Sequence, residues 1–210
     1  YQLAQSGASG GLVDLLILRD ETGAYNGYSG DVSSIIAALG FIGGALAGWS
    51  TAKLLITKNK EDMHLSHLKK EGKAKYALLV ATTIGAVIGF NLLFELLGVT
   101  NKSEAYTEVV SQQYSAHFIV GILVFGFISP IAEELLFRGV IYGYLRRFMD
   151  LKLAIALSAL IFGVYHMNYV QGIYGFLIGC LMAYAYEYFG EFKMAVFVHV
   201  ASNVLAYCLS

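Results

Sequence analysis

An all-α bundle of about six transmembrane helices is the fold class this sequence predicts, and three observations predict it. The chain is apolar: 57% of its 210 residues are hydrophobic and 14% are charged, whereas soluble domains carry about a quarter of charged residues. Apolar runs close to spanning length, roughly 20 residues, recur along it. The charges collect between those runs, and basic segments alternate with acidic ones. Net charge is −1, so composition gives no reason to expect a nucleic-acid partner.

Tyr1–Asp31 carries one arginine and four acids. It reads as an exocytoplasmic or membrane-surface segment whose "LVDLLIL" is too short to span. The chain begins at Tyr1 without a signal-peptide pattern, so a further segment upstream is expected. Val32–Thr57 and Ala74–Val99 are the first two spans. Lys58–Lys75 between them holds six lysines against three acids, and the turn around Arg146, Arg147 and Lys152 is also basic. The positive-inside rule places both in the cytoplasm. Thr100–Tyr114, with one lysine and two glutamates, reads as an outward loop. His117 to about Phe148 reads as one long helix, interrupted chemically at Pro130–Glu134. Leu153–Met167, Gly172–Tyr188 and Met194–Leu209 are shorter, so tilt or loops dipping into the bilayer are expected.

The chain thus divides into the surface segment 1–31, two accessory spans with a basic loop at 32–114, and a four-helix core at 115–210. Gly40, Gly43, Gly44 and Gly48 are expected to let helices pack closely. Cys180 and Cys208 lie in apolar stretches without metal-type spacing and read as small core or lipid-facing residues. No Walker motif, GxGxxG or HExxH occurs.

Against this background "SPIAEELLFRGVIYGYLRR" (Ser129–Arg147) is out of place. A charged side chain at the centre of a membrane helix costs roughly 2.5–3.5 kcal/mol on insertion scales, so each needs a partner. Glu134 and Arg138, four apart with the acid first, suit an i,i+4 pair, which is either purely structural or part of a site. Glu133 points about 100° away and has no such partner in its own helix. Antiparallel return at Met149–Leu151 puts Glu133 and His166 each about 21 Å from the turn, at one depth. His199 and Asn203, four apart, share a face of the last helix; they serve either as interhelical glue or as a third polar cluster. Depth counting puts His199 only about 9 Å from Lys193, too shallow for Glu133 unless the Phe189–Phe192 turn is submerged or the helix tilts. Glu95 and His117 lie at outer ends, and His64 and His67 in the cytoplasmic loop.

"EELLFR" (Glu133–Arg138), "FGVYH" (Phe162–His166) and "HVASN" (His199–Asn203) resemble, in order, the EExxxR, FxxxH and HxxxN/B motifs. These define the CPBP family of CAAX proteases and bacteriocin-processing enzymes, also called the Abi family. The resemblance covers about Phe118–Leu209 and implies an intramembrane glutamate protease. It implies Glu133 as the base that activates a water, His166 as a holder of that water, and His199 and Asn203 as stabilisers of the oxyanion. Glu134, Arg138 and Phe162 would shape and charge-balance the site. No cofactor is implied.

The chemistry agrees with the residues read alone. Amide hydrolysis needs a base tuned to the operating pH and donors aimed at the oxyanion. It also needs water, hence a polar cavity among the helices, which a kink at Pro130 would widen. No serine or cysteine lies in a position to suggest an acyl-enzyme, Ser129 and Ser202 being the nearest serines. The expected substrate is a membrane-associated peptide or protein, in a bacterial plasma membrane, in bacteriocin processing or self-immunity. Alternatives are a zinc peptidase using Glu133, His166 and His199, a proton or ion relay of a small transporter, and a non-catalytic immunity protein.

Overall fold

The computed structural model of the chain describes residues 28–62, 72–99 and 103–209. The N-terminal segment as far as residue 27, and the part of the basic loop that holds His64 and His67, lie outside the described residues. Among the described residues all regular structure is helical. Five helices among the described residues are long and apolar enough to cross a membrane, and one apolar helix is shorter; together they build the expected bundle.

Helix α1 (Tyr28–Asp62) has 35 residues, a length of about 52 Å that outruns a hydrocarbon core of about 30 Å. It buries Ala38, Ala52 and Leu55 and leaves Leu39, Leu46, Trp49 and Leu54 exposed. Such an outward apolar face is what a lipid solvent requires. Helix α2 (Ala74–Leu96) follows the same plan, with Leu79, Val87 and Phe94 turned inward.

The segment read as an outward loop is helical instead: α3 spans Glu104–Tyr114. Ser103 caps it, its hydroxyl accepting from the Tyr106 N–H at 3.2 Å, and Glu104 complements the positive end of the helix dipole. This short polar helix lacks spanning length and hydropathy, which is why a search for spans passes over it.

Helix α4 (Phe118–Leu145) is continuous through Pro130. The expected interruption takes a different form. Two stretches with widened i→i+5 turns, Ile122–Ile128 and Leu135–Tyr142, flank the α-helical turn Ser129–Glu134. Such π-type turns are rare and concentrate at functional sites.

Helices α5 (Leu151–Tyr165), α6 (Tyr169–Phe189) and α7 (Phe192–Leu209) complete the chain. Asp150 caps α5 through the Leu153 N–H at 3.0 Å, and Asn168 caps α6 through the Gln171 N–H at 2.8 Å. Gly190, at φ 66°, ends α6 in the left-handed conformation that glycine adopts without penalty.

Two of the four glycines expected to pack closely, Gly43 and Gly48, do not. A Cβ at Gly43 or Gly48 would meet nothing within 4 Å, because the inner face of α1 is carried by other residues. Close approaches occur at Gly30, where a Cβ would stand on the Ser115 carbonyl, and between α5 and α6, where a Cβ on Gly163 would stand 2.5 Å from the Gly172 carbonyl oxygen. The Gly163–Gly172 contact draws the hairpin tight just before His166. Cys180 and Cys208 are free thiols.

The depth of α7 is set by a buried polar contact at the other end of the bundle. Glu187, near the end of α6, accepts from the Tyr142 hydroxyl at 2.6 Å and from Arg146 Nε and Nη2 at 3.1 and 3.0 Å. The last turn of α6 is therefore level with Tyr142. From that level Glu134 lies eight residues back along α4, about 12 Å. His199 lies a similar distance into α7. The mismatch counted from Lys193 disappears because the α6–α7 turn does not sit at the level of the α4–α5 turn.

Candidate active site

Four helices contribute to one polar cluster. Glu134 and Arg138 lie on one face of α4 and are both fully buried. Arg138 Nη1 donates to Glu134 Oε1 at 2.8 Å and Nη2 to the Gly179 carbonyl of α6 at 3.0 Å. A Cβ at Gly179 would stand 3.0 Å from Arg138 Nη2, so glycine is what lets the guanidinium reach that carbonyl.

The pair is not closed on itself. His199 Nδ1 lies 2.9 Å from the same Oε1 of Glu134. A carboxylate only accepts, so Nδ1 carries the proton and Glu134 orients the ring. His199 Nε2 then faces Glu133, 3.7 Å from its Oε2. Donation from Nε2 as well requires the doubly protonated ring.

Glu133 has a partner in its own helix, contrary to the sequence reading. Ser129 Oγ donates to Glu133 Oε1 at 2.6 Å. The i−4 spacing of Ser129 to Glu133 is the local signal for this contact. The Glu133 side chain is 12% exposed, where its neighbour Glu134 is sealed.

His166 ends α5, its Nδ1 2.9 Å from the Phe162 carbonyl. A carbonyl accepts only, so Nδ1 holds the proton, and Nε2 of the neutral ring is left as an acceptor. Phe162 is the hub of the cluster. Its ring meets those of His166 and His199 edge-on at 4.9 and 5.3 Å, and the Arg138 guanidinium lies 4.6 Å from its centroid. One buried aromatic thus fixes two imidazoles and a cation.

Met167, next in the chain, has φ 58°, a strained setting for a non-glycine residue. Asn168 holds this turn through Nδ2, which donates to the His166 carbonyl at 3.1 Å and to Gln171 Oε1 at 2.6 Å. The Asn-x-x-Gln spacing, like that of a capping box, is the sequence signal for this turn. Asn203 Nδ2 donates to the Phe125 carbonyl at 3.0 Å.

Glu133, Phe162, His166, His199 and Asn203 all line one cavity of about 1010 Å³. From them it extends to the end of the bundle where α3 lies, past Asn91, Asn168 and Gln171. No lysine or arginine lines it among the described residues. Also among the described residues, no group of three or more His, Cys, Asp or Glu side chains is placed to hold a metal ion. His199 Nε2 stands 3.7 Å from Glu133, and its other nitrogen is turned to Glu134.

Residues 115–205 match the family described as type II CAAX prenyl endopeptidase Rce1-like. The match encloses all three motifs and shows the resemblance to the CAAX protease family over that part of the chain. That matched part is similar to a CAAX prenyl endopeptidase, and the span-length helices among the described residues support a multi-pass membrane protein. Comparison with curated proteins and with solved structures gave no match.

Proposed function

We propose, from the Rce1-like match as premise, that the chain is an intramembrane endopeptidase in which Glu133 activates a water against a peptide bond of a membrane-associated substrate. The observation that carries this reading is the convergence of two acceptors, Glu133 and His166 Nε2, with two donor residues, His199 and Asn203, on one cavity.

A water that donates one O–H to Glu133 and the other to His166 Nε2 keeps a lone pair for attack on the carbonyl carbon. As the C–O bond forms, the water proton passes to Glu133, and the carbonyl oxygen gains charge. His199 Nε2–H of the doubly protonated ring and an Asn203 amide N–H then receive that oxyanion. Collapse breaks the C–N bond, and Glu133 returns its proton to the leaving amine. Glu134 and Arg138 keep the His199 ring turned to its task. Each oxyanion donor contributes about 10²–10³-fold in enzymes where one has been removed.

Ser129 belongs to this reading as the group that holds Glu133. Ser129→Ala is expected to lower kcat by about 3–10-fold, the worth of one hydrogen bond, with little change in KM. Kinetics on an internally quenched farnesylated CAAX peptide, the substrate type named in the family description, measure it. Unaltered kcat would detach Ser129 from the base.

The identity of the natural substrate is tested by mass spectrometry of membrane peptides from cells carrying the wild-type chain or Glu133→Gln. A cleavage product present only with the wild type names the substrate, and a bacteriocin-type precursor among such products would place the enzyme in peptide processing. In parallel, cleavage is expected to survive EDTA within about twofold, since this reading draws the nucleophile from a water activated by Glu133. Loss restored by added zinc would replace the Glu133–water reading with a metal-assisted one.

A further inference from the structure

We propose that Pro130 is a positioning residue for Asn203: by removing one backbone N–H it leaves the Phe125 carbonyl open, and that carbonyl anchors the Asn203 amide at the cavity wall. The inference rests on the reading of Asn203 as an oxyanion donor only for its catalytic consequence; the anchor itself is a matter of backbone hydrogen bonding.

The widened turns before Pro130 fix the accounting. In Ile122–Ile128 the backbone bonds run from residue i+5 to residue i, and the Ser129 N–H accordingly reaches the Val124 carbonyl. The next bond in that register joins the N–H of residue 130 to the carbonyl of Phe125. Residue 130 is proline, which has no N–H. The α-type alternative, Ser129 to Phe125, is not used, because the Ser129 N–H goes to Val124. The Phe125 carbonyl is thereby stripped of both backbone partners within a membrane span, where an unpaired carbonyl is costly.

Asn203 of α7 supplies the missing donor, Nδ2 to Phe125 oxygen at 3.0 Å. Helix α7 comes near enough because residue 126 is glycine; a Cβ there would stand 3.0 Å from Val204 Cγ2. Phe125 and Asn203 both line the cavity. A primary amide has two N–H groups. One is held by the carbonyl, which fixes the amide plane, and the second remains for a substrate oxygen.

The proline is thus the origin of a docking point rather than of a break in the helix. Restoring an N–H at position 130 gives the Phe125 carbonyl a competing backbone donor in either register. With the widened turns kept, the new N–H competes for the Phe125 carbonyl. With relaxation to α-type turns, the Ser129 N–H competes for it.

The test is a cycle of four full-length proteins in detergent micelles: wild type, Pro130→Ala, Asn203→Ala and the double variant. Asn203→Ala is expected to lower Tm by about 2–4 °C in the wild-type background, the effect of one hydrogen bond in a chain of this size. In the Pro130→Ala background it is expected to lower Tm by less than about 1 °C. Equal losses in the two backgrounds would overturn the anchor, and this outcome is read without any substrate.

On the quenched CAAX peptide, Pro130→Ala is expected to lower kcat by about tenfold, short of the about 10²–10³-fold of losing a donor outright. KM should stay within about twofold, and the double variant should be no slower than Asn203→Ala. Full kcat in Pro130→Ala, with Asn203→Ala slow, would overturn the positioning role. Coupled Tm values with Asn203→Ala at full kcat would instead uphold the anchor and overturn the oxyanion reading of Asn203.

Discussion

Glu133→Gln is expected to slow turnover by about 10²–10⁴-fold, the usual contribution of a positioned general base, and to leave the fold intact. Glutamine has nearly the same shape and its amide oxygen can still accept from Ser129, so the 2.6 Å contact has a successor. What is lost is basicity: an amide takes no proton from water. The side chain is partly open to the cavity, so no sealed charge is removed and Tm should move by no more than about 2–4 °C. Cleavage of the quenched peptide and thermal unfolding of the same preparation measure both. Activity within about threefold of wild type would sink Glu133 as the base. The same variant at position 134 separates the two acids. Glu134→Gln would weaken the holds on Arg138 and His199 and is expected to lower stability as well as rate.

The largest effect on stability is expected from Arg138→Met. The guanidinium is fully buried and neutralises a fully buried carboxylate at 2.8 Å. Removing one member of a buried pair leaves the other charge uncompensated, typically at a cost of about 3–5 kcal/mol. In a chain of this size that is roughly 6–20 °C in Tm. The double variant Glu134→Gln with Arg138→Met should recover most of the loss, because the buried pair is largely repaid by its own desolvation penalty. It should not recover activity, since His199 would lack the full charge of Glu134. A double variant whose loss equals the sum of the two single losses would show that the residues do not act as a pair.

Much of the bundle was legible because its signals are local. Spanning runs need only hydropathy and length, and the expected limits of α1, α2 and α4–α7 lie within a few residues of those observed. The basic segments and Asp150, Asn168 and Gly190 mark the turns. Helix α3 was missed because it neither spans nor carries hydropathy, although Ser103 and Glu104 announced its start. The clustering of Glu133 with His166 followed from counting along a hairpin. The approach of His199 did not, because Lys193 is a poor marker of depth once α6 ends level with Tyr142. Gly43 and Gly48 meet nothing, whereas Gly30 and Gly163 each face a backbone carbonyl. A glycine has no chemistry of its own, and only its neighbours show whether its missing Cβ matters.

The sequence by itself determined the solvent, the class of fold and the short roster of polar residues that a membrane interior does not tolerate unpaired. Those follow from free energies of transfer and from helix periodicity, which are properties of each segment alone. Tertiary structure alone decided who pairs with whom. Oε1 of Glu134 serves Arg138 and His199 together, Ser129 holds Glu133, and Asn203 docks on a carbonyl that Pro130 leaves open. Each of these depends on the relative depth and rotation of helices far apart in the chain. A few ångströms decide them, and no single segment encodes that distance.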